Sequence, residues 1–285
     1  MTNALKNFIK KNIARRMNIS DYEMDLLLTG KALASKKTAQ SDLQTLMRKL
    51  YPVIEEKTEL IRLGPLGDGG YLLPNDIIDI EACFSPGVST KSGFEKDCAN
   101  LGMKVFLADK SVEQPTETHE LFHFIPKYVG ATTNDEFITL DDWVNTLLPG
   151  TESDLLLQMD IEGFEYEVFQ ATSSSLMHRF RIIIVEFHSL DELWNQGFFR
   201  LASRVFDKIL QTHVCTHIHP NNCCGSIEKD DLEIPRLLEF TFIRRDRLQK
   251  SRFVNTFPHP LDYDNTGQPP LPLPKCWYFS SENIF

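Results

Sequence analysis

The stretch RIIIVEFH, Arg181 to His188, constrains the fold more than any other. Its centre is almost purely β-branched, which favours a strand. It is also apolar at odd and even positions alike, so both faces of that strand need cover. Helices packed on both sides of a sheet provide it. Other short apolar runs share this texture: IEACFSPGV, KVFLADKS, HFIPKYVGA and LLLQMDIEG, then VCTHIHPNN and IPRLLEFTFIRRD. Between them lie stretches with helical spacing: STKSGFEKDCANLG, TLDDWVNTLLP, EYEVFQATSSSLM and FFRLASRVFDKILQTH. Such alternation predicts a doubly wound α/β sheet. Thr139 is the expected N-cap of its helix and Pro149 its stop. RLGPLGDGGYLLP is turn-rich and then extended, as in a hairpin or a strand entering a sheet.

Three regions follow from the pattern. Residues 1–60 read as a helical extension, 61–250 as the α/β domain, and 251–285 as a proline-rich tail wrapped on it and anchored by Trp277, Tyr278 and Phe279. The first helix is amphipathic and basic. Leu5, Phe8, Ile9 and Ile13 share a face, and Lys6, Lys10, Lys11 and Arg15 cover much of the rest. It either packs on its own domain or a partner, or rests peripherally on an anionic membrane. With 42% hydrophobic and 25% charged residues the chain has the composition of a soluble globular protein. A net charge of -10 argues against nucleic acid as a partner. No apolar run is long enough to span a membrane, and the N-terminus lacks a secretory pattern. The six cysteines follow no zinc spacing and read as reduced thiols, so the expected location is cytoplasmic.

Ligands of open α/β sheets sit at the carboxyl ends of the strands. Along the chain those positions hold Ser85 and Gly87, then Asp109, Gly130, the pair Asp160 and Glu162, the pair Glu186 and His188, and finally His219 with Asn221 and Asn222. The first turn is neither G-x-G-x-x-G nor a P-loop, which counts against NAD, FAD and nucleoside triphosphates. A turn with fewer glycines, followed about 20 residues later by an acid for the ribose hydroxyls, suits S-adenosylmethionine. That cofactor has no pyrophosphate to bring against the backbone.

DIEGFEYEVF, Asp160 to Phe169, resembles the D-x-E-G-x-E signature of the FkbM-type S-adenosylmethionine-dependent methyltransferases. TLDDW at Thr139–Trp143 stands where that family has its T-L-D-D helix, and GDGGY (Gly67–Tyr71) and HPNN (His219–Asn222) resemble further segments of it. The likeness runs from Leu63 to Asp246. It implies a Rossmann-like fold and methyl transfer, commonly to an oxygen of a sugar or polyketide. One departure is the first turn, where Phe84-Ser85-Pro86-Gly87 replaces an acid and several glycines.

The expected cofactor contacts are Ser85, Gly87, Asp109, Gly130 and Asp160, and the expected catalytic residues are Asp160, Glu162, His188 and His219. Asp160 would orient the cofactor's α-amino group or the acceptor hydroxyl. Glu162 either joins the site, caps its own helix or pairs with Arg181. Glu165 reads as a helix-start residue. His188 is the available base near neutral pH or a structural histidine. His219, Asn221 and Asn222 form either a sugar-binding rim or an Asn-rich turn. Asp68 and Tyr71 either cover the cofactor or belong to a glycine-rich hairpin. Asp160, Glu162, Glu186 and His188 are also compatible with a divalent metal, although their spacing does not require one. The expectation is an S-adenosylmethionine-dependent O-methyltransferase acting on a sugar or other hydroxylated small metabolite, with a place in surface-polysaccharide synthesis. The rival readings are a Rossmann-like nucleotide-sugar protein with another cofactor and a binding module without turnover.

Overall fold

The computed structural model describes residues 10–13, 21–29, 35–88, 92–150 and 152–280. Leu5, Lys6, Phe8, Ile9 and Arg15 of the basic amphipathic helix lie outside the described residues. Helices Asp21–Leu28 and Gln40–Lys49 precede β1 (Val53–Glu55), and β2 (Leu60–Leu63) and β3 (Tyr71–Pro74) form an antiparallel hairpin. Next come β4 (Ala82–Pro86), β5 (Lys104–Ala108), β6 (Phe122–Ile125), β7 (Tyr128–Val129), β8 (Phe137–Ile138), β9 (Leu155–Met159), β10 (Phe180–Phe187) and β11 (His213–Pro220). A second hairpin, β12 (Ser226–Lys229) and β13 (Leu232–Pro235), leads to β14 (Leu238–Arg244), and β15 (Ser251–Phe253) pairs back onto β1.

Seven strands form the central sheet, in the order β11-β14-β10-β9-β4-β5-β6. The ladders are parallel except at β14, which runs antiparallel to both β10 and β11. The chain steps outward from β4 to β5 and β6, then crosses back to β9 on the other side. This reversal opens a crevice at the carboxyl ends of β4 and β9, where doubly wound sheets bind ligands.

The continuously apolar strands sort into two cores. Leu155, Leu157, Met159, Ile183, Val185 and Phe187 face one core, with Trp143, Phe169, Phe206 and Trp277 from surrounding segments. Leu156, Ile182 and Ile184 face the other, under Phe94 and the hairpin residues Leu63, Tyr71 and Leu73. Helix Gln40–Lys49 adds Leu43, Leu46 and Met47 to the first core. From the C-terminal segment Trp277 is fully buried and donates its Nε1 proton to the Glu233 carbonyl at 3.1 Å. Among the described residues no helix is long and apolar enough to cross a membrane.

Local signals act where the sequence places them. Helix Leu140–Leu147 starts at Thr139, whose hydroxyl accepts from the Asp142 N–H. The acids of this segment are structural: Asp141 accepts from the Ser173 N–H at 2.8 Å, and Asp142 accepts from the Thr133 hydroxyl. The run HFIPKYVGA corrects an expectation. It is not one strand, because Pro126 has no N–H to continue the ladder. β6 ends at Ile125, and β7 pairs instead with β8, so Gly130 does not stand at the end of a central strand. Arg181 likewise does not reach Glu162. It starts β10, at the opposite end of the sheet, and pairs with Asp154 at 2.6 Å.

His213, at the start of β11, is fully buried beside the start of β10. Its Nε2 proton goes to the Phe180 carbonyl at 2.7 Å, and its Nδ1 stands 2.7 Å from the Thr212 hydroxyl. Burial pulls this imidazole down to about 4. The unfolded chain therefore binds the proton first as pH falls. The contribution of His213 to stability is complete above about pH 6.5 and is lost toward pH 4, on the order of 3 kcal/mol in all. Urea unfolding at pH 7 and pH 4.5 checks this: a His213→Gln variant will lose less stability between the two pH values than the native chain.

Candidate active site

The crevice is narrowest between the ends of β4 and β9. Gly87 has φ +90°, and a Cβ there would lie 1.6 Å from the Asp160 carbonyl oxygen. No residue with a side chain fits without moving one strand end. Its N–H donates to the Ala108 carbonyl at 3.1 Å, which ties the ends of β4 and β5.

Beyond Asp160 the backbone makes a turn with two successive left-handed residues, Glu162 (φ 57°) and Gly163 (φ 103°). Such a turn leaves inward-pointing N–H groups that need an acceptor. Glu165 supplies it. Its Oε1 accepts from the N–H of Ile161 at 3.2 Å and of Gly163 at 3.1 Å, and it lies 3.1 Å from Nδ1 of His188. The Tyr166 hydroxyl holds the other side of the histidine, donating to the His188 carbonyl at 2.8 Å. His188 thereby turns Nε2 toward three more carboxylates: Glu162 at 3.5 Å, Glu186 at 3.8 Å and Asp160 at 3.9 Å.

Two cavities meet at this point. The first, about 430 Å³, is lined by Gly87, Val88, Asp109 and Ser111, by the aromatic side chains of Tyr128, Phe137 and Phe164, and by Asp160 and Glu162. The second, about 360 Å³, lies under the β2–β3 hairpin and is lined by Asp68, Tyr71, Gln158, Glu186, His188, Asn221 and others. Gly87, Asp160 and Glu162 belong to both. One cavity is mainly apolar with a carboxylate at Asp109; the other carries Asp68, Glu95, Asp160, Glu162 and Glu186, with neither lysine nor arginine among the described residues of its lining.

The concentration of acid shows in the titration of the groups. Burial pushes Asp160 up to about 7; Glu162 and Glu165 add to the rise, and His188 opposes it. Burial also holds Glu186 well above the usual carboxylate range, helped by Asp160 and by Glu239, which is its direct cross-strand partner in β14. For His188 burial favours the neutral ring, but the hydrogen bond and charge of Glu165, with Asp160 and Glu162, outweigh it and raise the imidazole.

The expected residues divide by position. Gly87, Asp109, Asp160, Glu162 and His188 come together around the two cavities. Asp109 is steadied by the Ser111 N–H at 2.7 Å. Ser85 does not reach the surface of either cavity. Its hydroxyl is buried between Glu95 at 2.6 Å and Gln158 at 2.7 Å, because β4 turns it toward the hairpin side of the sheet. Gly130 is set back from the lining; its N–H pairs with Ile138, and a Cβ would strike the Phe137 ring at 2.8 Å. His219 is displaced from the site altogether. It lies on the outermost strand under the C-terminal segment, facing Asp262 at 3.7 Å. Its neighbours split: the Asn221 amide donates to Glu186 at 3.2 Å, whereas Asn222 binds the Thr266 and Gln268 carbonyls at 3.2 and 2.9 Å.

Residues that the sequence reading misses are Gln158 and Glu239, and it favours Glu165 as a helix-start residue over a catalyst. Gln158 and Glu239 each interrupt an otherwise apolar strand, LLLQM and LEF, and that interruption was the available signal. Nothing local distinguishes the buried Glu165 from an ordinary first-turn acid.

Residues 78–213 match the family model described as the methyltransferase FkbM domain. This is the family whose D-x-E-G-x-E signature the segment Asp160–Glu165 resembles. The match stops short of the hairpin β2–β3 and of β14, both inside the span of the motif likeness. Comparison with curated proteins gave no match. Two solved structures are distantly similar. One is described as a methyltransferase from an antibiotic biosynthesis pathway of Anabaena variabilis ATCC 29413, with 13% identity, 50% of this chain and 58% of that chain covered, and a TM-score of 0.28. The other is a single-residue mutant of the 16S rRNA (adenine(1408)-N(1))-methyltransferase of Catenulisporales acidiphilia, with 8% identity, 65% of this chain and 98% of that chain covered, and a TM-score of 0.26. The chain thus spans 58% of the length of the Anabaena protein. Likenesses this distant carry no argument, and the family match stands alone.

Gly87→Ala will separate the strand ends that the crevice depends on. The expected result is a loss of several kcal/mol in urea unfolding, from steric overlap and the positive φ together.

Proposed function

We propose that this chain is an S-adenosylmethionine-dependent methyltransferase that modifies a hydroxyl group of an uncharged, hydroxyl-rich small molecule such as a sugar. The observation that carries this reading is the pair of cavities joined at Gly87, Asp160 and Glu162. A methyl donor and its acceptor need adjoining compartments with one shared wall, since displacement at carbon demands alignment of both partners.

The first cavity suits the cofactor. Asp109 would hold the ribose hydroxyls, and the Tyr128, Phe137 and Phe164 rings would flank the adenine. Gly87 permits close approach at the crevice, and Asp160 stands beside it in the wall that both cavities share. When bound, the cofactor would supply an electrophilic methyl group on a sulfonium, and the acid–histidine cluster would take the proton of the acceptor hydroxyl.

The second cavity supports the choice of acceptor. Its five carboxylates, with no lysine or arginine among the described residues of its lining, disfavour a phosphate or pyrophosphate there, which moves the reading away from nucleotide sugars. Carboxylates and amides are well suited to sugar hydroxyls, each accepting or donating at fixed positions. His188, held through Nδ1 by Glu165, would stand against the reacting hydroxyl.

Calorimetric titration with S-adenosylhomocysteine tests the cofactor assignment. Binding in the micromolar range, weakened at least tenfold in Asp109→Ala, is expected; no binding at millimolar ligand by folded protein would refute it. Once an acceptor is found among neutral glycans, His188→Ala is expected to lower kcat by about 100-fold or more, with S-adenosylhomocysteine affinity kept.

A further inference from the structure

We infer that Asp160, Glu165 and His188 together hold one divalent cation, of the Mn2+ kind, in the wall between the two cavities. The inference rests on the methyltransferase reading only for its purpose; the site itself follows from the side chains. One donor atom from each of the three residues lies within 4.8 Å of the other two. Two carboxylates and one imidazole are a mixed oxygen and nitrogen set that suits Mn2+ better than the harder Mg2+.

Unmet valences point the same way. Oδ1 of Asp160 and Oε2 of Glu165 are both buried and accept no hydrogen bond. The Glu165 side chain is 0% exposed, so water does not compensate it. An isolated buried carboxylate oxygen costs several kcal/mol unless something positive meets it. Two such oxygens in one three-residue cluster call for a shared positive partner.

A protonated His188, the simpler remedy, is outnumbered. His188 lies within 4 Å of four carboxylates, at 3.1 Å from Glu165, 3.5 Å from Glu162, 3.8 Å from Glu186 and 3.9 Å from Asp160. A protonated imidazole brings one charge against them, and among the described residues no lysine or arginine lines either cavity. A dication brings two and leaves Nε2 as a ligand. The spacing is suitable: donors about 2.1 Å from a six-coordinate ion stand about 3 Å apart when adjacent and about 4 Å when opposite. The 3.9 Å between His188 Nε2 and Asp160 Oδ1 falls in that range. Oε1 of Glu165 is taken up by Ile161, Gly163 and Nδ1 of His188, so Oε2, which has no donor, is the atom Glu165 offers the ion. Three protein ligands leave positions open toward the second cavity. An acceptor hydroxyl seated there would be both oriented and made more acidic.

The test uses the full chain, stripped with EDTA, dialysed and titrated with MnCl2 while free Mn2+ is followed by its EPR signal. The expected result is one Mn2+ per chain, with affinity weakened at least about tenfold in His188→Ala and in Asp160→Asn. Glu165→Gln is added as a third variant if its melting curve shows it folded. Failure of the folded native chain to bind Mn2+ at millimolar concentration would overturn the inference. Equal Mn2+ affinity in native, His188→Ala and Asp160→Asn proteins would overturn it too, by placing the ion elsewhere. S-adenosylhomocysteine binding, measured on the stripped protein, keeps the two readings apart: it can fail while Mn2+ binds, or hold while Mn2+ does not.

Discussion

The buried carboxylate of Glu165 is the interaction on which the site depends. One oxygen accepts from two backbone N–H groups of the turn after β9 and faces His188. Without it the N–H groups of Ile161 and Gly163, on either side of the left-handed Glu162, would lose their acceptor. Asp160 and Glu162 would then lose their fixed approach to the cavities, and the imidazole its orientation. A first-turn acid, ordinarily a small electrostatic aid to a helix, is here the link between a turn, a strand end and a histidine.

The sheet makes this possible by its polarity along the strands. β9 and β10 are apolar through their middles and turn polar as they approach the crevice, at Gln158, Asp160, Glu186 and His188, with Arg181 at the far end of β10. Ser85, Glu95, Gln158 and Tyr71 continue this change beneath the hairpin as one buried hydrogen-bonded chain, with contacts of 2.6, 2.7 and 3.2 Å. Buried polar groups so placed are expensive unless paired. Most are paired, which makes the floor of the second cavity rigid. The cross-strand pair Glu186 and Glu239 is the costly exception, with like groups opposite each other in adjacent antiparallel strands. Amides of Asn221 and Asn265 take up part of that cost, at 3.2 and 2.6 Å.

Much of this was legible in the chain. Two-sided apolar strands alternating with helices predicted the doubly wound sheet. The acid at Asp109 and the D-x-E-G-x-E motif marked positions that do meet at the crevice. Three expectations failed for identifiable reasons. A proline inside HFIPKYVGA divided a strand, so Gly130 lost its place. The period of two along β4 turned Ser85 away from the crevice. β14 inserted between β10 and β11 and carried His219 to the sheet's edge, one strand farther from His188 than chain order suggests.

The sequence by itself determined the class of fold and the strand ends that bear chemistry, because apolar periodicity and turn residues act over a few positions. It also located the FkbM-like motif, because the motif is contiguous. Only the tertiary structure decided which acids share a wall, that Glu165 faces inward, and that His188 stands among four carboxylates. Those facts depend on strand order and on which face each side chain takes, and both are set by contacts between segments far apart in the chain.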